Sequence, residues 1–394
     1  MAAKSPKSRV ATKFDVMSTN PNTASMGAEH PARLHWWTRV LVGLVWPLIW
    51  VGGLVTTYDA GMSVPDWPNT YGYNLFLYPY QTWLYGPFDL FIEHGHRLLA
   101  SVVGLVAIVV AAIAIGNRSG AVSRGVRVLS AVVLLMVIAQ GILGGLRVVW
   151  SERSLALVHG CFGPSFFVAC VALMVATGRW WHGIHPGDHR SDQVLDGTDV
   201  TRDSTDATVN NESPERLRPS RFLLGSLAAV LVLGMSQLVL GAVMRHAPAT
   251  MTPSAFAAVV GLHVAGAFTL AGVAVVNAWR VCRVSRRDGV TRSGLRFSAV
   301  MMLPLVATQI GLGVVTWIVN YGYTTMWSFL PGDATYLIPT KGFSESILVT
   351  AHVATGSLIL AVATVLVTRA WRLRGRTRRN IAADAELRVF GTAA

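Results

Sequence analysis

Charge is scarce in this chain: Asp, Glu, Lys and Arg make up 13% of its 394 residues, about half the 25% usual in a soluble domain. Cysteine is scarcer, with only Cys161, Cys170 and Cys282. Their spacing fits no thiolate metal site, and none falls in an outer loop where a disulfide could form. They read as small core residues. The long apolar stretches also lack the polar face that a surface helix of a soluble protein would show.

What remains is apolar: 52% hydrophobic residues and a mean hydropathy of +0.47, more than one soluble core could use. Eight runs are long enough to cross about 30 Å of hydrocarbon as helices, at 40–58, 94–116, 127–149, 155–178, 222–244, 256–280, 296–319 and 346–370. The fold class is therefore an all-α membrane protein, with its eight transmembrane helices arranged as two pseudo-symmetric four-helix bundles.

The net charge of +13 invites a nucleic-acid reading, but the positions of the basic residues argue for membrane orientation. If the N-terminus is cytoplasmic, all Lys and Arg except Arg97, Arg147, Arg153, Arg245 and Lys341 fall on the cytoplasmic side, as the positive-inside rule requires. Both termini then lie inside, and residues 59–91 form a long outer loop. A multi-pass bacterial cytoplasmic-membrane protein is the first expectation, and the mitochondrial inner membrane the second. The first 35 residues, with Lys4, Lys7, Arg9 and Lys13, lack the apolar stretch of a secretory signal, while Asp15 and Glu29 interrupt the acid-poor pattern of a presequence. They read as a disordered tail.

Residues 187–220 are rich in Asp, Ser, Thr, Asn and Arg and cannot bury enough apolar area to fold. The expected division is a tail at 1–37, an N-terminal four-helix half at 38–178, a polar linker at 179–220, a C-terminal half at 221–370 and a basic tail at 371–394. His182, His185 and His189 beside the linker read as solvated loop residues rather than a metal cluster. A repeated phrase suggests duplication: Gln140-x-x-Leu143-Gly144, Gln237-x-x-Leu240-Gly241 and Gln309-x-x-Leu312-Gly313, with Trp50-Val51-Gly52-Gly53 a degenerate relative in the first span. Packing through small residues and interhelical hydrogen bonds explains at least part of that pattern.

Each even-numbered span carries a histidine near its outer end: His96, His159, His263 and His352. A single histidine in an apolar helix is more often a hydrogen-bonded core residue, but four at one depth favour ligands. Imidazoles facing each other across a bundle suit both axial positions of a haem iron, so His96 pairs with His159 and His263 with His352. A small residue follows each by four positions, namely Ala100, Gly163, Ala267 and Gly356, and leaves a gap where a flat macrocycle could lie. Arg97, Arg147 and Arg245 sit at outer helix ends, where they could meet haem propionates or serve as ordinary interfacial arginines. Glu93, one turn before His96, has no counterpart at the other three histidines. It reads either as a helix-start charge favoured by the dipole or as a group that handles protons or balances positive charge. His94, two positions from His96, is expected to face outward.

Taken together, Gly61-Met62-Ser63-Val64-Pro65-Asp66-Trp67-Pro68, Glu93-x-x-His96-Arg97, the Gln-x-x-Leu-Gly phrases and the four histidines resemble the haem A synthase family across the membrane-embedded chain. The resemblance implies an enzyme that oxidises the C8 methyl of haem O to a formyl group, giving haem A for terminal oxidases by two hydroxylations and loss of water. It implies substrate haem at His96 and His159 with Glu93 near the reacting methyl, and a haem b between His263 and His352. Haem O synthase is the implied upstream partner; the electron donor, a quinol or a redox protein, stays open, as does a homo-oligomer. Some members carry a cysteine pair in the first outer loop, and this chain has none. From the histidines alone, a dihaem electron carrier of the membrane fits equally well, whereas a haem exporter explains the second pair poorly.

Overall fold

The structure, a computed structural model, describes residues 21–117, 120–182, 220–248, 250–285, 289–321 and 342–391. Among these residues helix dominates and no strand forms; the one β pairing is an isolated bridge between Thr70 and Tyr73. Eight helices are long and apolar enough to cross a membrane: Ala32–Thr57, Phe88–Gly116, Arg124–Val149, Ser154–Thr177, Arg221–Arg245, Pro253–Val284, Gly294–Asn320 and Phe343–Gly375. These are the eight expected spans, and the chain is an integral membrane protein.

Local chemistry sets several of their ends. Ser123 and Ser220 cap the third and fifth spans, accepting from the backbone N–H groups of Val126 and Leu223, which satisfies donors that a helix start leaves open. Pro164 and Pro304 lie inside the fourth and seventh spans, a placement that neighbouring helices make tolerable in lipid.

Within the N-terminal half, the first span packs on the second, the second on the third, the third on the fourth and the fourth back on the first; the fifth to eighth spans pack in the same cyclic order. The buried apolar residues divide accordingly. Leu41, Val103, Val133 and Phe166 belong to one cluster, and Leu227, Leu270, Met302 and Leu366 to another. The halves meet mainly where the first and fourth spans lie against the eighth. At that seam Trp46 donates to the carbonyl of Ala354 at 3.3 Å, and the hydroxyls of Thr57 and Thr350 pair at 3.2 Å.

The N-terminal end differs from the sequence reading. The helix containing the first span begins at Pro21, inside the stretch read as a disordered tail, and the last helix continues to Gly391, through most of the segment read as a basic tail. The helix of the second span starts at Phe88, so Asp89 occupies its first turn and Glu93 lies deeper. A helix-start charge is thus the role of Asp89. The linker from 187 to 219, His185, His189 and residues 322–341 of the last outer loop lie outside the described residues.

Candidate functional site

Four helix pairs build four similar contacts. Each histidine lies within about ten residues, roughly 15 Å of helix, of the outer start of its helix. Each ring rests on a glycine of the preceding span. A Cβ added at Gly52 would stand 2.8 Å from Cε1 of His96, at Gly144 3.0 Å from His159, at Gly241 3.5 Å from His263, and at Gly313 3.1 Å from His352. The last glycine of the Gln-x-x-Leu-Gly phrase is therefore the seat of an imidazole.

The glutamine of the phrase fills the other half of the contact. Because the two helices run antiparallel, stepping back four residues from the glycine meets the small residue after the histidine. Gln140 lies against Gly163 and donates to the carbonyl of His159 at 3.0 Å, Gln309 lies against Gly356, and Gln237 lies against Gly266. This corrects the sequence reading of the gap below the histidines: at Gly163 and Gly356 the space holds a glutamine amide, not a slot for a macrocycle. The small residues are needed because the amide approaches the helix backbone.

The rings of His263 and His352 have centroids 6.3 Å apart with planes at 60°. Two metal–imidazole bonds of about 2 Å each, with the half-width of each ring, span roughly 6 Å, so one metal atom fits between them. Nδ1 is buried without a hydrogen-bond partner in all four rings. Nε2 of His352 lies 3.3 Å from the amide nitrogen of Gln309. His96 and His159 are close enough to interact electrostatically. Among the described residues, no three His, Cys, Asp or Glu side chains gather into a metal site. A metal held by two imidazoles here would have to bring its remaining ligands with it, as porphyrin iron does. The donor set fits a haem.

Glu93 is 2% exposed. One carboxylate oxygen accepts from the backbone N–H of Val64 at 2.9 Å, and the other pairs with Arg97 at 2.8 Å. Arg97 donates further to the carbonyls of Val64, Asp66 and Asn69. Glu93 and Arg97 thus clasp the outer loop from beneath, and both terminal nitrogens of Arg97 are engaged by loop and carboxylate rather than open to a ligand. Within the loop, Asp66 accepts from the N–H groups of Tyr71 and Gly72, each at 2.8 Å. Tyr71 and Gly72 have positive φ, +49° and +79°, which shapes this tight turn. Burial opposes ionisation of Asp66, yet those N–H groups and Arg97 hold its carboxyl below the ordinary value. The ring of Trp67 presses on Gly145 of the third span, where an added Cβ would overlap it.

His94 does not face outward as expected. It is 1% exposed, bonds Thr70 through Nδ1 at 3.2 Å, and lies beside Tyr78 and Trp83 at centroid distances of 5.3 and 5.0 Å. Its ring anchors the loop from the helix face turned away from His96.

The remaining arginines complete a cationic cluster. Arg147 reaches the carbonyl of Gly61 in one long contact of 3.5 Å and interacts electrostatically with Glu93, Arg97, His96, His159 and Arg245. Arg245 donates to the carbonyl of Gly53 at 3.1 Å and to the Thr57 hydroxyl, joining the two halves. Three guanidiniums against the carboxylates of Glu93 and Asp66 leave an excess of positive charge beside the His96–His159 pair. Of the three, Arg147 has the fewest engaged donors for a carboxylate ligand.

The sequence reading did not assign Gly52, Gly144, Gly241 and Gly313 to the imidazoles, although three of them end the repeated phrase. Their contacts predict a graded series. Alanine at Gly241 meets His263 at ordinary van der Waals distance and gains the helix preference of about 0.5–1 kcal/mol. Alanine at Gly52 overlaps His96, and such overpacking costs about 1–3 kcal/mol. Thermal denaturation of the purified variants should place Gly241→Ala at or above the parent and Gly52→Ala below it. Gly144→Ala and Gly313→Ala should fall between.

No curated protein matches the chain. Residues 35–193, which contain His96, His159, Glu93 and the loop over them, match the family model COX15-CtaA, described as a cytochrome oxidase assembly protein.

Proposed function

We propose that this chain is a haem A synthase, converting the C8 methyl of haem O to a formyl group by two hydroxylations, each consuming dioxygen as oxidant with two electrons and two protons and releasing water, and by loss of water from the gem-diol. One observation carries the reading: the half that matches the family is also the half in which a histidine pair lies beside a buried carboxylate under a clasped outer loop. His96 and His159 hold the substrate haem, and Arg147 meets its carboxylates. Glu93 sits one helical turn from His96, where a carboxylate can move a proton or balance positive charge developing at the methyl carbon. Its two engaged oxygens retain acceptor capacity, because an ionised carboxylate has about four lone-pair sites. The Asp66–Trp67 loop shields the site from the outer water phase.

His263 and His352 would hold a haem b between their rings, 6.3 Å apart, and that group would supply electrons when bound. Gly241 and Gly313 seat these two rings, and Arg245 ties this half to the first span. The C-terminal half is read as a copy of the N-terminal one that kept its ligands and has no acidic residue in the place of Glu93. The distribution of Lys and Arg supports a reading in which both sites face the outer side of a bacterial cytoplasmic membrane, with haem O synthase as the source of haem O and a quinol or a redox protein as the electron donor.

Expression in a host that makes haem O but not haem A tests the reading. Extracted pigments separated by chromatography should contain haem A. If haem O persists unchanged while the protein is folded and haem-loaded, the chain is an electron carrier and the synthase reading fails.

A further inference from the structure

The end of the bundle opposite the histidines holds a second polar site that the proposed reaction does not use. Here the first, fourth and eighth spans leave an open cleft of about 290 Å³. His35 and Arg39 line it from the first span, Arg179 and Trp180 from the short helix Arg179–His182, and Arg369 from the eighth span. Gly178, also in the lining, lets the His35 ring approach the end of the fourth span, since a Cβ there would stand 3.4 Å from Cε1 of His35.

The cleft is built rather than incidental. Arg369 donates to the carbonyl of Gly294 at 2.7 Å and stacks over Trp180 at 5.2 Å, while its Nε is buried without a partner. Gly294 admits the Trp180 ring, which an added Cβ would meet at 2.9 Å. Three guanidiniums therefore converge on one space, and no carboxylate among the described residues lines it.

Tryptophans fix its depth. Trp36 and Trp371 are 55% and 59% exposed, and Trp181 stacks on Trp371. Exposed tryptophans collect where hydrocarbon gives way to head groups, so the cleft opens at that level. A group that adds a cation, such as choline, would join three cations already there.

We propose that this cleft binds the phosphodiester head group of an anionic phospholipid, at the seam between the two halves. Basic pockets between membrane helices on the positively charged side suit such head groups. An anion seated there neutralises the guanidiniums and bridges the first and fourth spans to the eighth, so bound lipid holds the halves together at the end away from the histidines.

The test uses the full chain, purified in detergent and delipidated, with thermal unfolding as the readout. Titration with dioleoyl phosphatidylglycerol should raise the midpoint saturably, while dioleoyl phosphatidylcholine should not. The double variant Arg39→Gln/Arg179→Gln alters two exposed side chains and leaves the Arg369 bond intact. It should keep the parent's unliganded midpoint and weaken phosphatidylglycerol binding by about thirtyfold. Equal responses to the two lipids, or parental phosphatidylglycerol binding by the double variant, would overturn the proposal. Saturable stabilisation by inorganic phosphate that competes with phosphatidylglycerol would assign the cleft to a free anion and equally defeat the lipid reading.

Discussion

Replacing either His263 or His352 with alanine is expected to strip the purified protein of the haem b proposed for its C-terminal half, whereas His96→Ala leaves that haem in place. The argument rests on spacing. The two C-terminal rings stand 6.3 Å apart, each with a buried unpaired nitrogen, and no third metal-binding side chain among the described residues joins them. Deleting one ring removes half of the protein's hold on the iron. Loss of an outer-shell partner alone typically costs about 10–100-fold in metal affinity, so loss of a direct ligand should exceed 100-fold. The Soret band per polypeptide and the reduced-minus-oxidised spectrum report the outcome. Because an alanine leaves a ring-sized hole over Gly241 or Gly313, free imidazole added during purification should restore part of the band. A His352→Ala protein with full haem content and an unchanged spectrum would refute the assignment of this pair.

The eight spans, the four histidines and Glu93 were legible because each rests on a local property: the length of an apolar run, or one residue type recurring at one depth. The use of the repeated phrase was less legible, since it depends on two helices meeting in register. In sequence, Gly163 and Gly356 look like empty space beside a histidine, and only the antiparallel packing shows Gln140 and Gln309 filling it. His94 misled for a related reason. Helical geometry correctly turns it away from His96, but the loop that then covers it is a tertiary feature, brought down by Arg97 binding three of its carbonyls. The opposite cleft had no signature at all, because Arg39, Arg179 and Arg369 are remote in sequence and each alone reads as an interfacial cation.

Glu93→Gln is expected to lower turnover by about 10²–10³-fold, the range for loss of a general acid–base group or a charge-stabilising partner, with the C-terminal haem retained. Glutamine conserves shape, but its one carbonyl oxygen cannot replace both carboxylate oxygens, which now accept from Val64 and Arg97. Part of any loss could therefore come from a loosened loop. Asp66→Ala separates the two causes: it removes the bonds to Tyr71 and Gly72 and disturbs the loop without touching the carboxylate. If charge at Glu93 matters for chemistry, Asp66→Ala keeps most of kcat and chiefly raises KM, while Glu93→Gln lowers kcat itself. Glu93→Ala also leaves the partly buried Arg97 without this counter-ion, so its midpoint should fall further than that of the glutamine variant. Equal kcat losses in Asp66→Ala and Glu93→Gln would make Glu93 a loop anchor. Because the loop spans the mouth of the His96–His159 site, the same result would move the origin of rate enhancement from proton handling to exclusion of water.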